Sequence, residues 1–195
     1  MRLKRFKVYF AAYVLIIIFI VGCAPMANTV VELNRERYSP NINLENYKFY
    51  SGKTILFSSI IDKSGTPNLA YYNPDKTVGY WFFYTSSSSM NQPVISFFWY
   101  ALQKGFEKAG LNIVTAGPVY DAELTIIFTS LTDKEIQFDT LGTKMGTLLY
   151  KKHCIVSTPD VQTTDTTVLE KRAYDMIDSM VKTILDDPNF KKMFS

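Results

Sequence analysis

PVISFFWYALQKGFEKAGLNIV, Pro93–Val114, is the stretch that decides how this chain folds. Val94, Phe97, Phe98, Ala101, Leu102, Phe106 and Ala109 recur at helical spacing and make one apolar stripe. Gln103, Lys104, Glu107 and Lys108 fall off that stripe. Pro93 suits a first helical turn, and Gly110 is placed to end the helix. Leu111–Val114 then opens a short strand.

Working outward, β-branched and aromatic runs flank this helix. KTILFSSIID, Lys53–Asp62, reads as a strand ended by the turn cluster KSGTPN. Val78–Thr85 is a second strand, apolar on both faces. Asp121–Leu131, DAELTIIFTSL, is a strand that Lys134–Asp139 pairs with across Thr132 and Asp133. Thr147–Ser157 is a long strand after a turn region at Gly142 and Gly146. A second helix starts near Thr167, where Thr167 and Glu170 fit a capping box. Leu169, Ala173, Met176, Ile177, Met180, Val181, Ile184 and Leu185 form its buried face. The order predicts an α+β fold, a mainly antiparallel sheet with two helices packed on one face. Residues 51–195 suit a single domain, and no internal repeat is visible.

The N-terminus sets the compartment. Arg2, Lys4, Arg5 and Lys7 precede an uncharged run from Val8 to Val21, the length of a signal-peptide core and short for a bilayer. Ile20-Val21-Gly22-Cys23 resembles a bacterial lipobox, in which small residues let the backbone enter a transferase and a peptidase. The expectation is a lipoprotein signal peptide over 1–22 and acylation of Cys23. An uncleaved anchor helix over Val8–Ala27 is the alternative, weakened by Gly22 and Pro25. Either reading sends residues 24–195 to one side of the membrane. Residues 23–50, rich in Asn and charge, read as the lipidated cysteine and a flexible tether.

The net charge of +3 belongs to the signal segment. Without its four bases, 17 Lys and Arg face 18 Asp and Glu, so no basic excess favours nucleic acid. The chain has one histidine, His153, which excludes a multi-histidine metal site within one chain. His153 and Cys154 are neighbours in a strand and point to opposite faces, so they cannot form a nucleophile pair. With Cys23 acylated, Cys154 has no partner and is expected to be buried. SGKT, Ser51–Thr54, imitates a phosphate loop, but Tyr47 replaces the required glycine and a strand follows. Glu123, Asp133, Glu135 and Asp139 read as a solvated strand face rather than an acid–base pair. No catalytic residue, metal or cofactor is expected.

Aromatic residues are dense between Tyr71 and Tyr100. Core packing is the simpler account. Trp81, Phe83, Trp99 and Tyr100 are the candidates for a surface that takes an acyl chain or a partner protein. The whole layout resembles small Gram-negative envelope lipoproteins, the YajG-like group and the auxiliary lipoproteins of ABC-type lipid-transport systems. A lipobox precedes a strand ending in Asp, a polar-aromatic loop, a helix closing with FEKAGLNIV, the strand DAELTIIFTSL and a long last helix. The resemblance covers about Lys53–Leu185 and departs from the pattern at Val78–Tyr84. It implies a non-enzymatic accessory role at the periplasmic face of the outer membrane, in envelope assembly or lipid transport. The implied contacts are the membrane through acyl chains, an envelope protein, and a lipid as candidate ligand. Ala24 after Cys23 resembles lipoproteins sorted to the outer membrane. A lipopolysaccharide-assembly lipoprotein bound to a β-barrel and a surface-exposed lipoprotein are the alternatives.

Overall fold

Alternation of apolar and polar residues drives the centre of the fold. In β8, Ala122–Leu131, residues Ala122, Leu124, Ile126 and Phe128 are buried, while the intervening side chains reach solvent. β9, Glu135–Lys144, and β10, Thr147–Ser157, continue this as an antiparallel meander. The structure is a computed structural model. It describes residues 29–57, 60–65, 70–72, 78–83, 91–92, 94–132, 134–159, 163 and 165–195, without the side chains of 29–30, 70–72, 78–83 and 91–92.

The sheet has six strands and is mixed. Its order is β10-β9-β8-β2-β7, where β2 is Thr54–Leu56 and β7 is Asn112–Val114, and β3, Ile60–Asp62, also pairs with β8. β2, β3 and β7 run parallel to their neighbours, whereas the longer ladders are antiparallel. The single strand expected over Lys53–Asp62 is thus two. Leu56 faces Glu123 and Ile60 faces Ile126, so the first chain carries one more residue than β8 between the two pairings. The turn expected around Gly142 and Gly146 is only Met145-Gly146, because β9 continues through Gly142. A smaller sheet joins β1, Thr29–Leu33, in parallel to β5, Val78–Phe83, with β4, Ala70–Tyr72, and β6, Asn91–Gln92, both antiparallel to β5.

Helix α1, Val94–Lys108, buries the stripe read from the sequence. It ends in a Schellman cap: Leu111 N–H donates to Phe106 O and Gly110 N–H to Glu107 O. Gly110 has φ +97, which glycine tolerates best. Phe98 stacks on Phe128 at 5.6 Å and so docks α1 on the sheet. A buried Phe contributes roughly 2–3 kcal/mol, and a ring pair adds about 1 kcal/mol. Helix α2, Thr166–Leu185, lies beside α1 and along β10. Its cap is Asp165, whose carboxylate accepts from Thr167 N–H at 2.9 Å. The Thr167–Glu170 capping box is therefore not formed, since a carboxylate two residues earlier takes the role. Helix α3, Pro188–Lys192, closes the chain with Phe190, Met193 and Phe194 buried.

The segment expected as a tether is a correction. Val31, Leu33, Tyr38, Ile42, Tyr47 and Tyr50 are all buried. From β1 onward the chain runs along α2 and enters a 3-10 helix, Leu44–Tyr50. Asn34 N–H and O both meet the Tyr174 hydroxyl at 3.0 Å, and Tyr50 Oη donates to Leu185 O at 2.7 Å. The Asn-rich composition hid an aromatic every few residues. Cys23 and residues 24–28 lie outside the described residues, as does the whole signal segment. Among the described residues no helix is long and apolar enough to cross a membrane.

Two variants test this packing. A Cβ on Gly105 would sit 2.7 Å from Val181 Cγ2. Gly105→Ala is expected to lower stability by about 1–2 kcal/mol, despite the better helix propensity of alanine. Denaturant melts showing a gain would disprove the close α1–α2 approach. Asp187 caps α3 through Asn189 N–H, accepts from the Tyr150 hydroxyl and pairs with Lys152 at 2.7 Å. Burial raises its pKa, but Lys152, Asn189 N–H and Tyr150 outweigh that and hold it below the usual range. The contribution is full above the ordinary aspartate pKa and is lost as pH falls through the lowered folded value. Asp187→Ala should cost about 2 kcal/mol at neutral pH, and the deficit should shrink in acid melts.

Candidate interaction surface

The side chains picked out by sequence divide into two groups. Trp81 and Phe83 occupy alternate positions of β5, a strand that runs against α1. Their side chains, and Cys23, lie outside the described residues. Trp99 and Tyr100 stand on the flank of α1, as their spacing predicts. Trp99 packs partly against the core, and its indole N–H is buried without a hydrogen-bond partner among the described residues. Tyr100 is engaged within the chain: the Arg35 guanidinium lies 3.8 Å from its ring centroid. Lys104 sits 5.8 Å from the same ring and donates to Tyr38 O at 2.8 Å. This flank thus ties the turn after β1 to α1.

The same segment is held to α2 by a buried carboxylate. Asp178 accepts from the Tyr38 hydroxyl at 2.8 Å and from Asn41 N–H at 3.1 Å. Burial raises the Asp178 pKa, and these two donors only partly offset it. Burial beside Asp178 likewise raises the Tyr38 hydroxyl. Farther along, Arg37 pairs with Glu170 at 2.7 Å, and Glu170 also accepts from the Tyr174 hydroxyl. The Arg37–Glu170 pair is half exposed and is worth at most about 1 kcal/mol.

Potential chemistry elsewhere is used structurally. His153 is exposed, with Nδ1 2.7 Å from Asp139 Oδ1, while Cys154 is buried on the opposite face. Burial pushes the Cys154 thiol up, partly countered by Thr140, which leaves it a poor nucleophile. Glu123 accepts from the Thr143 hydroxyl at 3.0 Å and Glu135 from the Gln137 amide at 2.7 Å. Asp133 lies outside the described residues. Among the described residues no three His, Cys, Asp or Glu side chains could hold one metal ion. A cleft of about 350 Å³ opens between the end of β10 and α2, beside Ser157, Lys171, Asp175 and Ser179. Lys171 and Asp175, one turn apart on α2, pair along its helical wall at 2.6 Å.

Large exposed apolar side chains that sequence reading missed gather at one end of the sheet, where Val119, Met145, Leu148 and Leu149 stand, while Ile61, Ile155 and Val168 are exposed singly elsewhere. The signal was present: KMGTLLY puts Met where hairpins favour Asn and sets two leucines side by side in a strand.

These elements define a class, an α+β fold with a mixed, mostly antiparallel sheet whose one face is covered by helices. The crystal structure of protein XCC0632 from Xanthomonas campestris, of the DUF330 family, has this fold. It superposes with a TM-score of 0.52 at 11% identity, covering 80% of this chain and 92% of that one. A second solved structure, of an uncharacterized protein, gives a TM-score of 0.37 at 13% identity over 69% of this chain and 93% of that one. No family model and no curated protein matches the chain. At 11% identity the likeness is one of fold.

Asp178 gives a pH test. A folded pKa above the unfolded one stabilises the protein below the unfolded value, and that stabilisation is lost as pH rises through the folded value. Wild-type stability should therefore decline as pH rises from about 4, relative to Asp178→Asn, whose side chain does not titrate. Parallel stability–pH curves for the two would refute the buried-carboxylate account.

Proposed function

We propose that this chain is a lipid-anchored envelope lipoprotein, a non-enzymatic binding component in outer-membrane assembly or lipid transport. The observation that carries the reading is Ile20-Val21-Gly22-Cys23 lying just ahead of β1, whose described residues begin at Thr29. Six residue steps separate Cys23 from Thr29, at most about 3.5 Å each, so an acylated cysteine would keep the body within about 20 Å of its bilayer. Such a short link raises the local concentration of the domain for anything at that membrane. The structural use of Cys154, Asp178, Asp187 and Glu170 supports a binding role over catalysis. The resemblance to auxiliary lipoproteins of lipid-transport systems gives the role its content.

Cys23→Ser is the test. Wild type should carry acyl chains on a processed N-terminal cysteine by intact mass and sort to the outer membrane. The variant should remain as precursor in the inner membrane or appear unacylated. An unmodified thiol at position 23 of mature wild type would overturn the proposal. Stable co-purification with a β-barrel would move it to the lipopolysaccharide-assembly type, and protease shaving of whole cells would reveal a surface-exposed form.

A further inference from the structure

One end of the molecule combines exposed apolar groups with unneutralised lysines. The hairpin turn places Met145 at φ 50 and Gly146 at φ 76, so both central residues are left-handed. Asn or Gly is the residue such a turn favours, because side chains beyond Asn and Asp strain there. Met145 instead stands 93% exposed. The β9–β10 register shifts between Leu148 and Tyr150, and both Leu148 and Leu149 are turned out to solvent at 52% and 54%. Val119, 82% exposed, precedes Asp121, whose carboxylate accepts from Thr54 N–H. β8 then brings Glu123 opposite Thr143, which places the Val119 loop beside the hairpin tip. Phe49 joins the same end through Lys191, 4.4 Å from its ring, on α3. α3 in turn meets the hairpin through Phe190 against Tyr150 and Met193 O accepting from Lys144.

Among the described residues Lys53, Lys151, Lys191 and Lys192 have no ion-pair partner. Of the described acids at this end only Asp187 is ion-paired, to Lys152; Asp121 accepts from Thr54 N–H, Glu123 from the Thr143 hydroxyl, and Asp186 is exposed at the end of α2, so six lysines, the four unpaired ones with Lys144 and Lys152, face four carboxylates there. Single large apolar groups on several loops, ringed by lysines, fit a particular kind of surface. Protein interfaces are enriched in Met and aromatic residues as well as Arg but depleted of lysine, so the lysines are what set this surface apart from one. A lysine lays its methylene stem along apolar surface and keeps its ammonium at the headgroups of a bilayer. Anionic headgroups attract such charges. We propose that this end, formed by the β9–β10 tip, the Val119 loop and α3, docks on an anionic lipid bilayer. The contact is separate from any N-terminal anchor. Asn34 and Arg37 bind Tyr174 and Glu170 in the first half of α2, so the chain enters away from this end, and a link of about 20 Å from an acylated Cys23 would point this end at a second bilayer rather than at the anchoring one.

The test uses the full chain reconstituted into vesicles, with an environment-sensitive fluorophore on Met145→Cys in a Cys23→Ser background. Cys154 is buried, so one thiol is available. With vesicles of phosphatidylcholine and phosphatidylglycerol, emission should shift to the blue and lipid-borne nitroxides should quench it. Quenching should fall several-fold in phosphatidylcholine alone, in high salt, and in the double variant Lys151→Glu and Lys191→Glu. The same fluorophore on Val168→Cys, exposed at the start of α2, should stay in water. A label at 145 that remains in water at every lipid composition overturns the proposal, as does equal quenching at 145 and 168. So does burial of the label by protein concentration without vesicles, which would mark a second copy as the occupant. The Cys23→Ser background removes acylation, and the comparison of 145 with 168 separates docking of this end from tethering by the N-terminal apolar run, so the result is independent of the lipoprotein reading.

Discussion

Two adjacent phenylalanines on α1 hold the architecture together. Neighbouring positions on a helix point about 100° apart, so Phe97 and Phe98 cannot share one cover. Phe98 goes to the sheet and stacks on Phe128, which leads on to Phe138. Phe97 goes the other way, to Tyr38 and Tyr174. A run of rings therefore connects the N-terminal segment, α1 and the central hairpin. α1 needs a partner on both sides, and the segment from Val31 to Tyr50 is the one that its Phe97 side demands.

That demand accounts for the polar groups around it. A chain laid along α2 must satisfy its own backbone where it is buried. Asn34, Asn41 and the Lys48–Ser51 turn find partners in Tyr174, Asp178 and the chain itself. The cost of this is a desolvated carboxylate in the middle of α2. At the far end Asp187 has the opposite balance, because a lysine, a tyrosine and a helix start converge on it. One acid resists ionisation and the other favours it, and the difference is set by how many donors each meets.

The same long axis separates two kinds of surface. The end where β1 enters is closed by hydrogen bonds from Tyr174 and by the Arg35–Tyr100 stack. The end beyond the last turn of α2 gathers Met145, Leu148, Leu149 and Val119 in the open, while Phe190 and Met193 fill the core beneath. The sheet hairpin gives up local backbone preference to hold Met145 outward, and a two-residue turn fixes its position firmly.

Much of the fold was legible because its signals are local. The α1 stripe, the alternating strand Ala122–Leu131 and the α2 face follow from periodicities of 3.6 or 2, the Gly110 cap and the strand Thr147–Ser157 from residue type, and the structure has them. His153 outward and Cys154 inward follow from the same alternation. The parallel pairing of β2, β3 and β7 was not legible, since register across distant segments leaves no local trace. Nor was the folding of residues 31–50, whose four tyrosine and isoleucine anchors among Asn, Glu and Arg hold no period. Their burial depends on a surface that exists only after α1 and α2 have met. Composition and period determined which elements form and which faces are greasy. Only tertiary packing decided what covers each face, because that is a question of shape between segments far apart in sequence.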